Sequence, residues 1–478
     1  MAVHSSYVKY MGAAAFLICV PAALLVLFIW LGQNRISGVT VRVPGNDGRP
    51  ASMEEEDGPA DFTGRFQQFD GIPSALPGAW PRFRGAASDN IATDAPPLAN
   101  AWGEEGPPTL WMIPLGEGYA GPVVLNGRIY VLDYDEGARS DTLRCFSLDD
   151  GRELWRHGYR VEVRRNHGMS RTVPAVTDTH VVSIGPRCHV LCLNAVTGAL
   201  QWGIDLQREH GTEEPLWYTG QCPLIEDGQV ILAPGGPEAL LMAVDLASGE
   251  IRWKTPNPMG WQMSHSSVMP MILGGKRMYV YAAVGGLVGV SAEVADAGTL
   301  LWQTPWDAKV VAPSPVALGD DRILALAGYG AGGIFVQVTK TDTGFEGREL
   351  SRHSPREGIA TEQHTPIFHE GFLYAIMPKD AGGLREQFVC YRADGTLVWS
   401  SGKDHRFGLG PWLLADGKFF ALDDDGTLYM IRATPERFEL LDSAQVLQGQ
   451  ESWAPMALAK DRLLLRDTEH MACVFVGK

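Results

Sequence analysis

Five short segments of this 478-residue chain gather the side chains best suited to binding chemistry. They read NHGMSRTVP (166–174), LWYTGQCP (216–223), WQMSHSSVMP (261–270), TEQHTP (361–366) and ESWAP (451–455). Between them they carry His167, Arg171, Trp217, Gln221, Trp261, His265, Gln363, His364 and Trp453. Brought to one place, imidazole, guanidinium and indole would suit a flat anionic ligand, the cation pairing with its charge and the rings stacking on its face. A metal site built from His167, His265 and His364 is the competing chemistry, but their sequence positions fix no separation between them. The bland alternative is a polar, water-filled channel. No residue is marked as catalytic. There is no GxSxG, and GYGAGG (328–333) precedes no helix that would supply an anion site. Paired carboxylates such as Glu213/Glu214 and Asp320/Asp321 lie at turns and read as solvated.

The elements that must position these segments come from a repeat. LRCFSLDDGRELW (143–155) returns as LCLNAVTGALQW (191–202), LMAVDLASGEIRW (241–253) and VSAEVADAGTLLW (290–302), with a shorter copy, VCYRADGTLVW, ending at Trp399. What persists is an apolar strand, a tight turn ending in glycine, and a tryptophan four residues later. A second feature counts the copies. Pro122, Pro174, Pro223, Pro270, Pro315, Pro366, Pro411 and Pro455 each open a short apolar strand, at spacings of 44 to 52 residues. Four short strands per period of this length is the pattern of a propeller blade, and the proline suits the start of an innermost strand, where a missing N–H is tolerated. The expected fold is therefore all-β: an eight-bladed propeller of four-stranded antiparallel blades over residues 80–478. The last copy lacks an outer strand, while Thr109–Leu115 precedes the first proline as an orphan strand, so the N-terminal strand is expected to close the ring. Copies five and seven lack the tryptophan and carry the weakest signal. Because innermost strands line the central channel, the five segments should meet at it.

Composition narrows the partners. A net charge of −16 with scattered basic residues excludes a phosphate-backbone partner. Seven cysteines form no CxxC, and Cys188 and Cys192, if on one strand, stand about 13 Å apart, beyond disulfide reach. They read as small core residues. After a ten-residue polar tail, Met11–Leu31 is free of charge and long enough to span a bilayer, so residues 11–32 are expected to be a retained single-pass anchor. Residues 33–79, rich in Gly, Pro and Ser with an acidic run, read as a flexible linker.

The strand, Asp or Asn, then T-G-x-x-x-W resembles the repeat of eight-bladed quinoprotein-like propellers, a superfamily that includes pyrroloquinoline-quinone (PQQ) dehydrogenases and the BamB assembly factors. The resemblance covers about residues 80–478. It implies a scaffold in the bacterial envelope that binds envelope or membrane proteins, non-enzymatic, with the propeller on the periplasmic side and no cofactor. The alternative it implies is a PQQ-dependent oxidoreductase, or a sensor of PQQ or another small ligand, with calcium. PQQ dehydrogenases stack the cofactor between a tryptophan and a ring made by two adjacent cysteines. No two cysteines here are adjacent, which separates this chain from those enzymes.

Overall fold

The computed structural model describes residues 58–163, 168–449 and 451–478, together with Val20, Pro21 and Leu25. The apolar stretch expected to cross a membrane therefore lies almost wholly outside the described residues, as does His167. Among the described residues no helix is long and apolar enough to span a bilayer.

Eight antiparallel sheets follow one another along the chain. The first blade takes 123–125, 128–135, 140–147 and 153–160, and the seventh, without the motif tryptophan, takes 412–415, 418–422, 427–432 and 440–445. The eighth has strands 457–459, 462–466 and 470–475, and its outermost strand is Thr109–Pro114, paired antiparallel with His470–Phe475. Seven of the eight prolines stand just before their inner strand. Pro270 lies within one, on the edge, where the ladder does not need its N–H. The six described cysteines are all free and buried.

A bulge recurs in all eight outer strand pairs. The residue immediately before the motif tryptophan is left unpaired, as Leu154 is between Trp155 and Glu153. The same register shift appears in every other blade. Its consequence is packing between blades. The turn glycine of one blade lies over the tryptophan ring of the blade before it: Gly151 over Trp111, Gly198 over Trp155, Gly249 over Trp202 and Gly298 over Trp253, each with positive φ. A β-carbon at any of these glycines would stand 2.7–2.8 Å from the ring. The fifth blade keeps the contact from the other side, with Gly347 over Trp302. Several indole N–H groups then reach the next blade's carbonyls, Trp202 to Leu246 at 2.9 Å and Trp111 to Leu148 at 3.2 Å.

The N-terminal segment departs from the expected linker. From Asp61 onward it is docked: Arg65–Gln68 forms a fifth strand on the first blade, and Ser74 N–H donates to Gly127 O at 3.0 Å. Residues 80–92 then cross the ring. Trp80 pairs with Val124 of the first blade, Pro81 O accepts from Val176 of the second, and Arg82 reaches Ile225 O of the third at 3.3 Å. Buried Arg84 donates to Thr365 and Pro366 carbonyls of the sixth, and Ile91–Ala92 lies parallel on the inner strand of the seventh. This crossing closes one end of the central channel.

The clasp makes a differential prediction. Gly198 (φ +70) and Gly417 (φ +67) occupy the same backbone region, but a β-carbon at Gly417 meets nothing within 4 Å. Both Gly→Ala changes carry the left-handed backbone cost of about 1–2 kcal/mol. Gly198→Ala should cost about 1–3 kcal/mol more through overpacking against Trp155. Urea midpoints of the two variants measure the difference, and equal midpoints would refute the clasp.

Candidate functional site

Successive strands reverse direction, so all eight inner-strand entries open on one face of the ring, opposite the crossing segment. Each of the eight contributes to the wall of a single cavity of about 260 Å³ at the channel mouth. Six of the eight candidates among the described residues come together there: Arg171, Trp217, His265, Gln363, His364 and Trp453. Gln221 and Trp261 do not. Gln221 is fully buried, its amide paired both ways with the Ala233 backbone (3.1 and 2.9 Å) inside its own blade. Trp261 is buried against the backbone of Gly285 and Gly286, where a β-carbon would stand 2.3–2.5 Å from its ring.

The floor of the cavity is Phe83, from the crossing segment, so the channel is a cup rather than a pore. Two stacked aromatic pairs form its sides. Tyr119 lies 5.1 Å from Trp453, and Trp217 lies 5.4 Å from Tyr329 with His265 at 6.2 Å behind it. The Arg171 guanidinium sits 5.7 Å over the Tyr119 ring, and the Tyr119 hydroxyl donates to Glu451. Tyr119, Tyr329, Glu362 and Lys379 escaped the sequence reading. Tyr119 stands three residues before Pro122, the offset at which entry residues were sought; the others lie on a flanking position or on loops between second and third strands.

The backbone holding these rings is strained. Trp217 (φ 61), Tyr218 (φ 72), Tyr329 (φ 55) and Glu451 (φ 57) all lie in the left-handed region that non-glycine residues rarely adopt. Bulky residues persist there only where surrounding structure fixes them. The indole N–H of Trp217, that of Trp453 and the amide nitrogen of Gln363 are buried without a hydrogen-bond partner. Buried donors are nearly always paired, but Trp102, Trp155, Trp253 and Trp412 carry indole N–H groups in the same condition away from the cup, so this does not single the cup out.

Charge in the cup is set by burial. Burial, reinforced by cationic Arg171, holds the His265 imidazole down at about 3. Burial, against backbone hydrogen bonding and with Arg84 adding to it, holds His364 at about 4. Burial brings Arg171 down to about 10, still charged at neutral pH, and pushes the Glu362 carboxyl up. The Cys222 thiol is pushed up to about 11 by burial, so it is no nucleophile at neutral pH. Arg171 and Lys379 thus face a single lining carboxylate, Glu362, a cationic recess in a chain of net charge −16.

The model of the family described as outer membrane protein assembly factor BamB matches residues 139–383, just over half of the sequence. This chain belongs to that family. The crystal structure of BamB from Moraxella catarrhalis superposes with a TM-score of 0.51 at 13% identity, covering 77% of this chain and 100% of that one. The quinohemoprotein alcohol dehydrogenase of Comamonas testosteroni gives 0.56 at 14% identity, covering 84% and 81%. The quinohemoprotein alcohol dehydrogenase ADHIIG of Pseudomonas putida HK5 gives 0.54 at 11%, covering 85% and 82%. These likenesses are of fold. No curated protein matches the sequence.

The residues present do not reproduce a PQQ–calcium clamp. Among the described residues no group of three His, Cys, Asp or Glu side chains is placed to hold a metal, and Glu362, the one carboxylate among those lining the cup, sits by Lys379. What the cup offers is flat stacking surface and cations.

Both cup histidines have folded pKa values below their ordinary 6.5. Their contribution to stability is therefore complete above that pH and is lost as pH falls toward about 4 for His364 and about 3 for His265. Replacing His364 with Gln should flatten the loss of stability between pH 6.5 and 4 by up to about 1.4 kcal/mol per pH unit. An unchanged slope in urea titrations across that range would contradict the assignment.

Proposed function

We propose that this chain is a non-enzymatic, membrane-tethered propeller of the bacterial envelope that binds envelope proteins across the open face of its ring. The observation that carries this reading is the one-ended channel. Residues 80–92 occupy one face, while the other presents a rim with Tyr329 63% exposed and Leu216 42% exposed around a cationic recess. Exposed aromatic surface beside an arginine is the composition of a binding hot spot. Membership of the BamB family and the apolar stretch at residues 11–32 support an envelope location and a tether. A binding role is favoured over catalysis because the cup's histidines are neutral and its thiol is protonated at neutral pH. The test is a photo-crosslinking residue placed at Tyr329 on the rim or at Ile272, 70% exposed on the opposite face, in the full-length protein in cells. Specific adducts are expected from position 329 and not from 272. Adducts from 272 alone, or from neither, would refute the reading.

The stacked aromatic pairs beside Arg171 and Lys379 favour a second reading, in which the cup itself takes a small flat anion. Titrating the full-length protein with PQQ, with and without calcium, while following absorbance and dye-linked alcohol oxidation separates the cases. Spectral change without turnover supports a sensor, turnover supports an oxidoreductase, and neither response removes PQQ as the ligand.

A further inference from the structure

Away from the cup, a cluster of ionisable groups is buried between the first and second blades, beneath the docked N-terminal segment. The Tyr159 hydroxyl donates to Asp141 Oδ2 at 3.0 Å and lies 3.1 Å from His189 Nδ1. His189 Nε2 is 3.7 Å from Asp205, which caps the short helix Leu206–His210. Asp141 and Tyr159 are each only 2% exposed. The cover is Phe62, whose ring stands edge-on to Tyr159 at 5.3 Å and to His189 at 5.4 Å, and packs on Gly203. The segment is held further by a contact from His157 Nε2 to Phe62 O at 3.0 Å and by the four-residue strand Arg65–Gln68. Beyond that strand, Phe69 N–H and the Gln68 amide both donate to Leu154 O at 2.9 Å, Arg156 lies over the Phe69 ring and Asp70 pairs with Arg152.

We propose that residues 61–70 form a pH-dependent latch, docked over protonated Asp141 and released when that carboxyl ionises.

Among the described residues Asp141 has no cation beside it. Facing it are the hydroxyl of Tyr159, the carboxylate of Asp133 on the next strand, Tyr134, and, through Tyr159, His189 with Asp205 and Cys188. Asp133 is itself paired with Arg144 at 2.9 Å, so that arginine is already committed. The segment brings Asp61, Arg65 and Asp70, all exposed, the last paired with Arg152. Burial, with Asp133 adding to it against the Tyr159 hydrogen bond, raises the Asp141 carboxyl to about 7. The sign follows. A carboxyl whose folded value lies above its ordinary 3.8 favours the docked form at low pH, and that contribution is lost as pH rises through about 7. Water can reach the new charge at least cost by lifting Phe62, since the blades themselves are clasped. Release would lengthen the tether between ring and membrane. Phe62 shares its apolar cluster with Tyr218, the neighbour of Trp217 in the cup, so docking also bears on the mouth.

Hydrogen exchange of amides 62–70 in the full-length protein tests the latch. Between pH 6 and pH 8, after correction for intrinsic exchange, their opening should increase by up to about tenfold in all, because the one-proton contribution is spent once the pH passes about 7. Amides of the neighbouring 140–147 strand should not follow. Asp141→Asn should hold the segment docked at both pH values, and Phe62→Ala should release it at both. If Asp141→Asn fails to fold, Tyr159→Phe, which removes the donor to the carboxylate, should move the wild-type transition to higher pH. Equal protection of wild-type residues 62–70 at pH 6 and 8, or a full pH response in Asp141→Asn, would overturn the proposal.

Discussion

The ring depends on one contact repeated at four successive blade interfaces: a tryptophan of one blade lying flat under the turn glycine of the next. Neither residue completes its role within its own blade. The bulge before each tryptophan turns the outer strand so that the indole faces across the interface, and the glycine supplies both the left-handed turn and the room for the ring. A large flat side chain buries much area there, and aromatic packing adds to the apolar contribution. The eighth blade enters the same scheme because Trp111, on the strand from the N-terminal side, lies under Gly151 of the first. Closure is thus secured by backbone pairing within one blade and by the same clasp between two.

A ring fixed in this way has a channel with two faces that are chemically different. On one face residues 80–92 cross between blades, held mainly through backbone carbonyls, with Arg84 reaching the sixth blade's entry. On the other, eight strand entries converge, and the rigid frame tolerates left-handed backbone at Trp217, Tyr218, Tyr329 and Glu451. Strain of this kind needs a surround that over-determines it, and the clasped blades provide that. The cationic, aromatic cup follows from these two facts, a floor on one side and aromatic walls on the other.

Much of this was legible in the sequence because it is periodic. The prolines marked the inner-strand entries, and that offset alone placed Arg171, Trp217, His265, Gln363, His364 and Trp453 near one mouth. It failed for Gln221 because a residue adjacent to the proline strand turns into its own blade, where the Ala233 backbone takes both ends of the amide. It failed for Trp261 because the entry segment is long there and the indole folds back on Gly285 and Gly286. Tyr329 and Lys379 lie on loops with no repeat signal. The crossing segment was illegible for a different reason: its anchors are carbonyls, which every sequence carries. The same holds for Asp61–Asp70, whose many polar residues concealed a docked strand and the phenylalanine packed on Tyr159 and His189.

The central claim is that the ring works from its open face. Hydroxyl-radical footprinting of the full-length protein, in native membranes and after purification, measures this directly. The account predicts that Tyr329 and Leu216 are protected in membranes relative to the purified protein, while Ile272 and Val294 on the opposite face react equally in both. Protection of Ile272 and Val294 with no change at Tyr329 would contradict it.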